Sequence, residues 1–182
     1  MIDLKEIKEK TADLLRQTAM SVKKISVAKS EEIEFQISEI SNKESAGHLL
    51  NTISTEINNK HLNKIYWFKV IDNYDLKTLY ASYKKAKQDK INNRAYSRLN
   101  TISPYLYVGS SRSLIGRINQ HFGYGPKGTY AMQFIHWCKD FNLKVGLTIL
   151  NFDKTIDRKA FQALEDGIWE EFRPMFGRKG PK

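Results

Sequence analysis

Glu165 sits where a carboxylate is costly. At ~100° per residue along a helix, Phe161, Leu164, Ile168 and Phe172 form one apolar stripe, and Glu165 falls inside it while Asp166 and Glu170 point away. An ionised carboxylate on a core-facing stripe needs a counter-charge, hydrogen bonds or a metal ion. A buried arginine would meet that need, and so would a divalent cation. Arg117 and His121, spaced i, i+4, share one edge of the face marked by Leu114 and Ile118. Arginine suits bidentate recognition of a phosphate, and histidine exchanges a proton near neutral pH. The plainer reading is a surface arginine and a half-buried histidine. Other apparent motifs fall short. Gly123-Tyr-Gly-Pro-Lys-Gly128 follows a helical pattern rather than a strand and contains a proline, so it reads as a loop. His136 and Cys138 lack the companions of a zinc site.

These residues need elements to hold them. Ile65–Ile71 is apolar on both faces, as in a central strand, Tyr105–Val108 follows Pro104 as a second strand, and Lys144–Leu150 is a third. Helices are expected over Leu114–Phe122, Thr129–Phe141 and Thr155–Phe172, the last halted by Pro174. Residues 72–103 read as a polar, largely helical insert between the first two strands, with seven basic and three acidic residues and Tyr74, Tyr80, Tyr83 and Tyr96 interspersed. Residues 1–60 read as a mainly helical N-terminal extension. Its helices are expected at 4–20, with Leu4, Ile7, Leu14 and Leu15 on one side, and at 46–58, while Ile33, Phe35 and Ile37 suggest a short strand over 32–38 or a helix. The main domain is expected to span 61–182.

Charge and composition narrow the partners. Thirty Lys and Arg stand against twenty Asp and Glu, and the surplus is confined: residues 1–60 carry nine basic and ten acidic residues, the remainder twenty-one and ten. That surplus suggests a polyanion, nucleic acid before an anionic membrane, or simply a basic surface that keeps the protein in solution. No apolar run approaches the ~18 residues that cross a bilayer, and the amino end lacks the apolar stretch of a signal peptide. The lone Cys138 rules out an intramolecular disulfide and suits a reducing compartment, so a cytoplasmic location is expected.

Taken together, the chain resembles the GIY-YIG nuclease family. The half-motifs stand as Lys64-Ile65-Tyr66, with lysine in place of glycine, and Tyr107-Val108-Gly109. Arg117 follows ten residues after Tyr107, His121 four further on, and Glu165 precedes Arg173-Pro174. The resemblance covers roughly 64–180, and the spacing resembles that in the nuclease domain of the bacterial excision-repair enzyme; some restriction enzymes of the family also carry insertions. The asparagine that often follows the terminal proline is replaced by Gly177, so a hydrogen bond there is expected to be missing.

The resemblance implies an α+β fold with a small three-stranded antiparallel sheet flanked by helices. It also implies Mg²⁺- (or Mn²⁺-) dependent hydrolysis of phosphodiesters in double-stranded DNA. Glu165 would hold the metal and Arg117 would stabilise phosphoryl charge. Tyr66 would take the proton of water with a lowered pKa, Tyr107 would orient water or phosphate, and His121 would hydrogen-bond alongside. A restriction-type and a mobile-element nuclease both fit. Lys84, Lys85, Lys87, Arg94 and Arg98 of the insert, with Arg178 and Lys179, become candidate DNA contacts. The insert is alternatively a helical flap whose tyrosines pack on the domain. A homodimer on DNA, joined through the N-terminal helices, would let one active site serve each strand. The competing functional readings are a non-catalytic nucleic-acid-binding module that retains the fold, and a basic membrane-surface or scaffold protein.

Overall fold

Asn63–Val70 (β2), buried along nearly its whole length, needs partners on both edges and finds them. Tyr105–Ser111 (β3) pairs with it antiparallel on one side, and Lys144–Phe152 (β4) pairs antiparallel on the other. The computed structural model describes residues 3–57, 63–153 and 155–180. The expected boundary between residues 60 and 61 lies outside them.

The sheet has four strands, not three. Lys29–Gln36 (β1) from the N-terminal extension pairs antiparallel with β4 from Lys29 opposite Asn151 to Gln36 opposite Lys144, giving the order β1-β4-β2-β3. Phe35 drives this addition: its ring is buried against Phe68 and Phe122. The strand stops before Ile37, because Glu39 accepts the Gln36 backbone N–H at 2.6 Å and folds Ile37–Ile40 into a single tight turn.

Two layers of helix cover the sheet. Lys43–Glu56 (α2) and Leu114–Phe122 (α4) pack on the face that carries Phe35, Tyr66, Phe68 and Leu147. Arg158–Phe172 (α5) covers the other face, where Phe172 meets Trp67 and stacks on Tyr105 at 4.0 Å, and Phe161 meets Phe152. Leu4–Lys23 (α1), N-capped by Asp3, lies against α5 with no residue buried. Leu4, Ile7, Leu14 and Leu15 stay exposed on it.

Two helical expectations fail. Over 129–141 the only helical piece is a single 3₁₀ turn at Phe134–His136. Ala131, Met132, Gln133 and Phe134 are all buried in succession, which no one-sided helix allows, and Gln133 takes a left-handed conformation while its side-chain amide donates to the Ala95 and Thr129 carbonyls. The insert is helical only over Leu76–Gln88 (α3), after which Lys90, Asn92 and Asn93 turn left-handed and the chain becomes irregular. Its tyrosines pack inward. Tyr83 is buried, stacks on Phe176 at 4.0 Å and donates to the Ser97 carbonyl, Tyr96 is buried beside it, and Tyr74 stacks on Phe141. No helix among the described residues is long and apolar enough to cross a membrane.

Candidate functional site

The two half-motifs meet at the sheet edge. Tyr66 lies opposite Gly109 and Phe68 opposite Tyr107, so the two phenols are diagonal neighbours on one face, with ring centroids 6.1 Å apart. Glycine at 109 is a steric requirement. A Cβ there would lie 2.7 Å from Tyr107 Cε1 and 3.3 Å from Tyr66 Oη. Gly177, at φ +97°, closes on the other edge of the Tyr107 ring, where a Cβ would come within 2.9 Å of Cε2. The turn at Gly177 is tied to the insert: Asn100 Nδ2 donates to the Pro174 and Gly177 carbonyls, each at 2.9 Å.

Helix α4 brings Arg117 and His121 onto these rings. His121 is fully buried, 4.3 Å from the Tyr107 ring, centroid to centroid. The Met132 backbone N–H donates to His121 Nδ1 at 3.3 Å, so Nδ1 is an acceptor, and the neutral ring assigned on that basis carries its proton on Nε2 and donates to Tyr66 Oη at 3.1 Å. Arg117 donates from Nη2 to Tyr107 Oη at 3.1 Å and to the Tyr130 carbonyl at 2.9 Å, and from Nη1 to Gln120 Oε1 at 2.7 Å. Its Nε is buried without a hydrogen-bond partner. Burial opposes the Arg117 charge, but Tyr107 and Tyr66 outweigh it and raise its pKa.

Tyr66 departs from the lowered pKa expected of a base. Burial pushes it well above the usual phenol value and Tyr107 pushes the same way; Arg117 pulls it down, and Glu165 adds a further upward push. That influence puts Glu165 within electrostatic range of Tyr66. Its side chain is half-buried and accepts a hydrogen bond from Ser110 Oγ at 2.7 Å.

Among the described residues no cluster of three or more His, Cys, Asp or Glu exists, so an all-protein cage for zinc or calcium is not formed there. One oriented carboxylate beside hydroxyls suits Mg²⁺, which keeps several waters and takes its remaining ligands from substrate phosphates.

The expected DNA contacts sort into groups. Lys87, Arg98 and Arg178 line, with Arg117 and Tyr107, one cleft of about 730 Å³. Lys87 also donates to the Tyr96 and Ser97 carbonyls, and burial lowers its pKa. Lys84 and Lys85 are exposed on α3. Arg94 is turned inward, donating to the Gly125 carbonyl at 2.9 Å and to Gln133 at 3.2 Å, so it braces a loop. Lys179 pairs with Glu170 at 2.7 Å. Sequence reasoning missed Ser110, Gln120 and Asn100, whose only signal is a position beside a motif in space. No family model matches this chain, and neither does any curated protein or solved structure.

Proposed function

We propose that this protein is a GIY-YIG-type endonuclease that hydrolyses phosphodiester bonds in double-stranded DNA with Mg²⁺ or Mn²⁺ held by Glu165. In this reading β2, β3 and β4 correspond to the three strands of the family and β1 is an added edge. One observation carries it: Tyr66, Tyr107, Arg117 and His121 form a single hydrogen-bonded and ring-stacked cluster, buried at Tyr66 and His121 and reaching a basic cleft through Tyr107 and Arg117, with Glu165 in electrostatic range of Tyr66. A structural core has little use for that combination, since each buried polar group there costs stability.

Glu165 would hold the cation, which would supply Lewis-acid stabilisation of the charge that develops on the phosphodiester. Arg117, anchored by Gln120 and the Tyr130 carbonyl, presents its charge to the phosphoryl group beside Tyr107. Tyr66 accepts the proton of the attacking water. Its phenolate is supported by Arg117 and by the Nε2–H of His121. Tyr107 orients the phosphate. One carboxylate implies a one-cation scheme and one cut per active site. A second copy, joined through the exposed apolar side of α1, would supply the other cut.

The test is incubation with supercoiled plasmid, with and without Mg²⁺, for the protein and for Glu165→Gln. Metal-dependent nicking that falls at least ~10²-fold in the variant, at unchanged melting temperature, supports the enzyme. Retardation of DNA without cutting by either protein would instead favour the non-catalytic binding module.

A further inference from the structure

A second basic pocket lies at the far end of the β3 edge. It measures about 390 Å³, with Ser110 and Ser111 on one wall, Arg112 and Arg158 at its rim, and Phe161 and Ile156 lining it. Ser110 connects it to the site, because the same hydroxyl donates to Glu165. Arg112 is exposed and oriented: its Nε donates to Asn63 Oδ1 at 3.1 Å, while Asn63 Nδ2 donates to the Asp153 carbonyl at 3.2 Å. Arg158, the first residue of α5, is exposed as well. Neither arginine forms an ion pair with a described residue.

The geometry points to a phosphate-binding pocket for the DNA strand being cut, on the other side of the β3 edge from the cleft of Lys87, Arg98 and Arg178. This rests on the nuclease reading and adds the path of the strand. Tyr107 lines the first cleft and Ser110 the second. Their side chains point to opposite faces of β3, so the DNA strand must pass round the sheet edge. Along β3 the two residues are three apart, about 10 Å at ~3.3 Å each, the axial rise of about three phosphates at ~3.4 Å per strand. A strand passing round the edge therefore puts one phosphate at Tyr107 and Arg117 and another, about three phosphates along, at Arg112 and Arg158. The apolar residues Ile156 and Phe161 offer the sugar a dry contact. Arginine is the side chain suited to this, since its fork keeps charge and two donors on one phosphate.

The experiment measures binding of a fluorescein-labelled DNA duplex, without divalent cation, across a salt series. Arg112→Ala with Arg158→Ala should lower the slope of log K against log salt by about 0.9, for the one phosphate no longer neutralised. Methylphosphonates placed singly in the cut strand should slow nicking on both sides of the nick in the wild type. In the double variant they should do so on one side only. An unchanged slope, or interference that persists on both sides, overturns the inference even where nicking continues. A reduced slope in a protein that never nicks leaves the pocket standing and removes the hydrolase reading. Should the double variant lose its melting transition, Arg158→Glu alone gives the same readout from an exposed position.

Discussion

Gly109→Ala tests the geometry of the phenol pair directly. The added methyl would meet Tyr107 Cε1 at 2.7 Å, against an ordinary carbon contact of ~3.5–4.0 Å, so the ring must retreat by about 1 Å. It has nowhere to go: Gly177 already closes on its opposite edge, and the ring is almost fully buried. The cost therefore falls toward the upper end of overpacking, about 2–3 kcal/mol, or a melting temperature lower by about 5–10 °C. The same shift breaks the 3.1 Å bond from Arg117 to Tyr107, and a misplacement of ~1 Å in a catalytic group costs ~10²-fold in rate. Differential scanning fluorimetry and single-turnover plasmid nicking read the two effects. Gly167→Ala on α5, where an added Cβ meets nothing within 4 Å, is the control and should stabilise by up to ~1 kcal/mol. If Gly109→Ala melts and nicks like the wild type, the tyrosines are not wedged as described. If it melts lower and nicks normally, the rate does not depend on where Tyr107 sits.

In the proposed mechanism the raised pKa of Tyr66 leaves the proton acceptor mostly protonated at neutral pH, so nicking rates should rise about tenfold per pH unit from pH 7 to 9. A flat profile with chemistry rate-limiting would exclude Tyr66 as proton acceptor. Tyr66, Tyr83 and Tyr96 all have raised values, with Tyr96 pushed up to about 12. The unfolded chain then loses phenolic protons at a lower pH than the folded one, so stability is intact below about pH 10 and falls as pH rises beyond it. Absorbance at 295 nm should show these phenols ionising together with unfolding; independent titration near pH 10 would contradict their burial. Asn100→Ala removes two hydrogen bonds from the turn at Pro174–Gly177 and should cost about 1–3 kcal/mol in chemical denaturation. A loss below a few tenths would show that the turn holds itself.

Much of the architecture was readable because apolar runs have partners of the same kind. β2 and β4 are legible from their own composition, and α4 from one apolar face closed by Gly123 in a left-handed cap. The extension's strand was ambiguous because Glu31, Glu32 and Glu34 mask the Ile33 and Phe35 alternation. Glu31 is nonetheless buried. It accepts from Asn151 Nδ2, pairs with Lys29 at 3.0 Å and lies near the buried Lys64, whose pKa burial lowers and Glu31 raises. Those partners come from three strands, and no local pattern links them. The segment 129–141 misled for the opposite reason: its apolar residues are dense without a period, and the Gln133 side chain replaces the helical hydrogen bonds.

The chemistry of the site was legible where one residue contradicted its surroundings, as Glu165 does on its apolar stripe. It was illegible where residues of one type differ only in tertiary place. Arg94 and Arg98 look alike in a basic insert, yet the first is spent on Gly125 and Gln133 while the second faces the cleft. The insert itself shows the same limit. Its charges suggested a DNA grip and its tyrosines a flap, but the contacts make it a buttress as well. Tyr83 stacks on Phe176, Leu99 bridges Phe176, and Asn100 ties the Gly177 turn that presses on Tyr107. Substitutions in the insert therefore divide by depth. Losing Lys84 or Lys85 should affect DNA affinity alone, whereas losing Asn100 or Tyr83 should loosen Tyr107 and slow a reaction whose residues lie elsewhere in the chain.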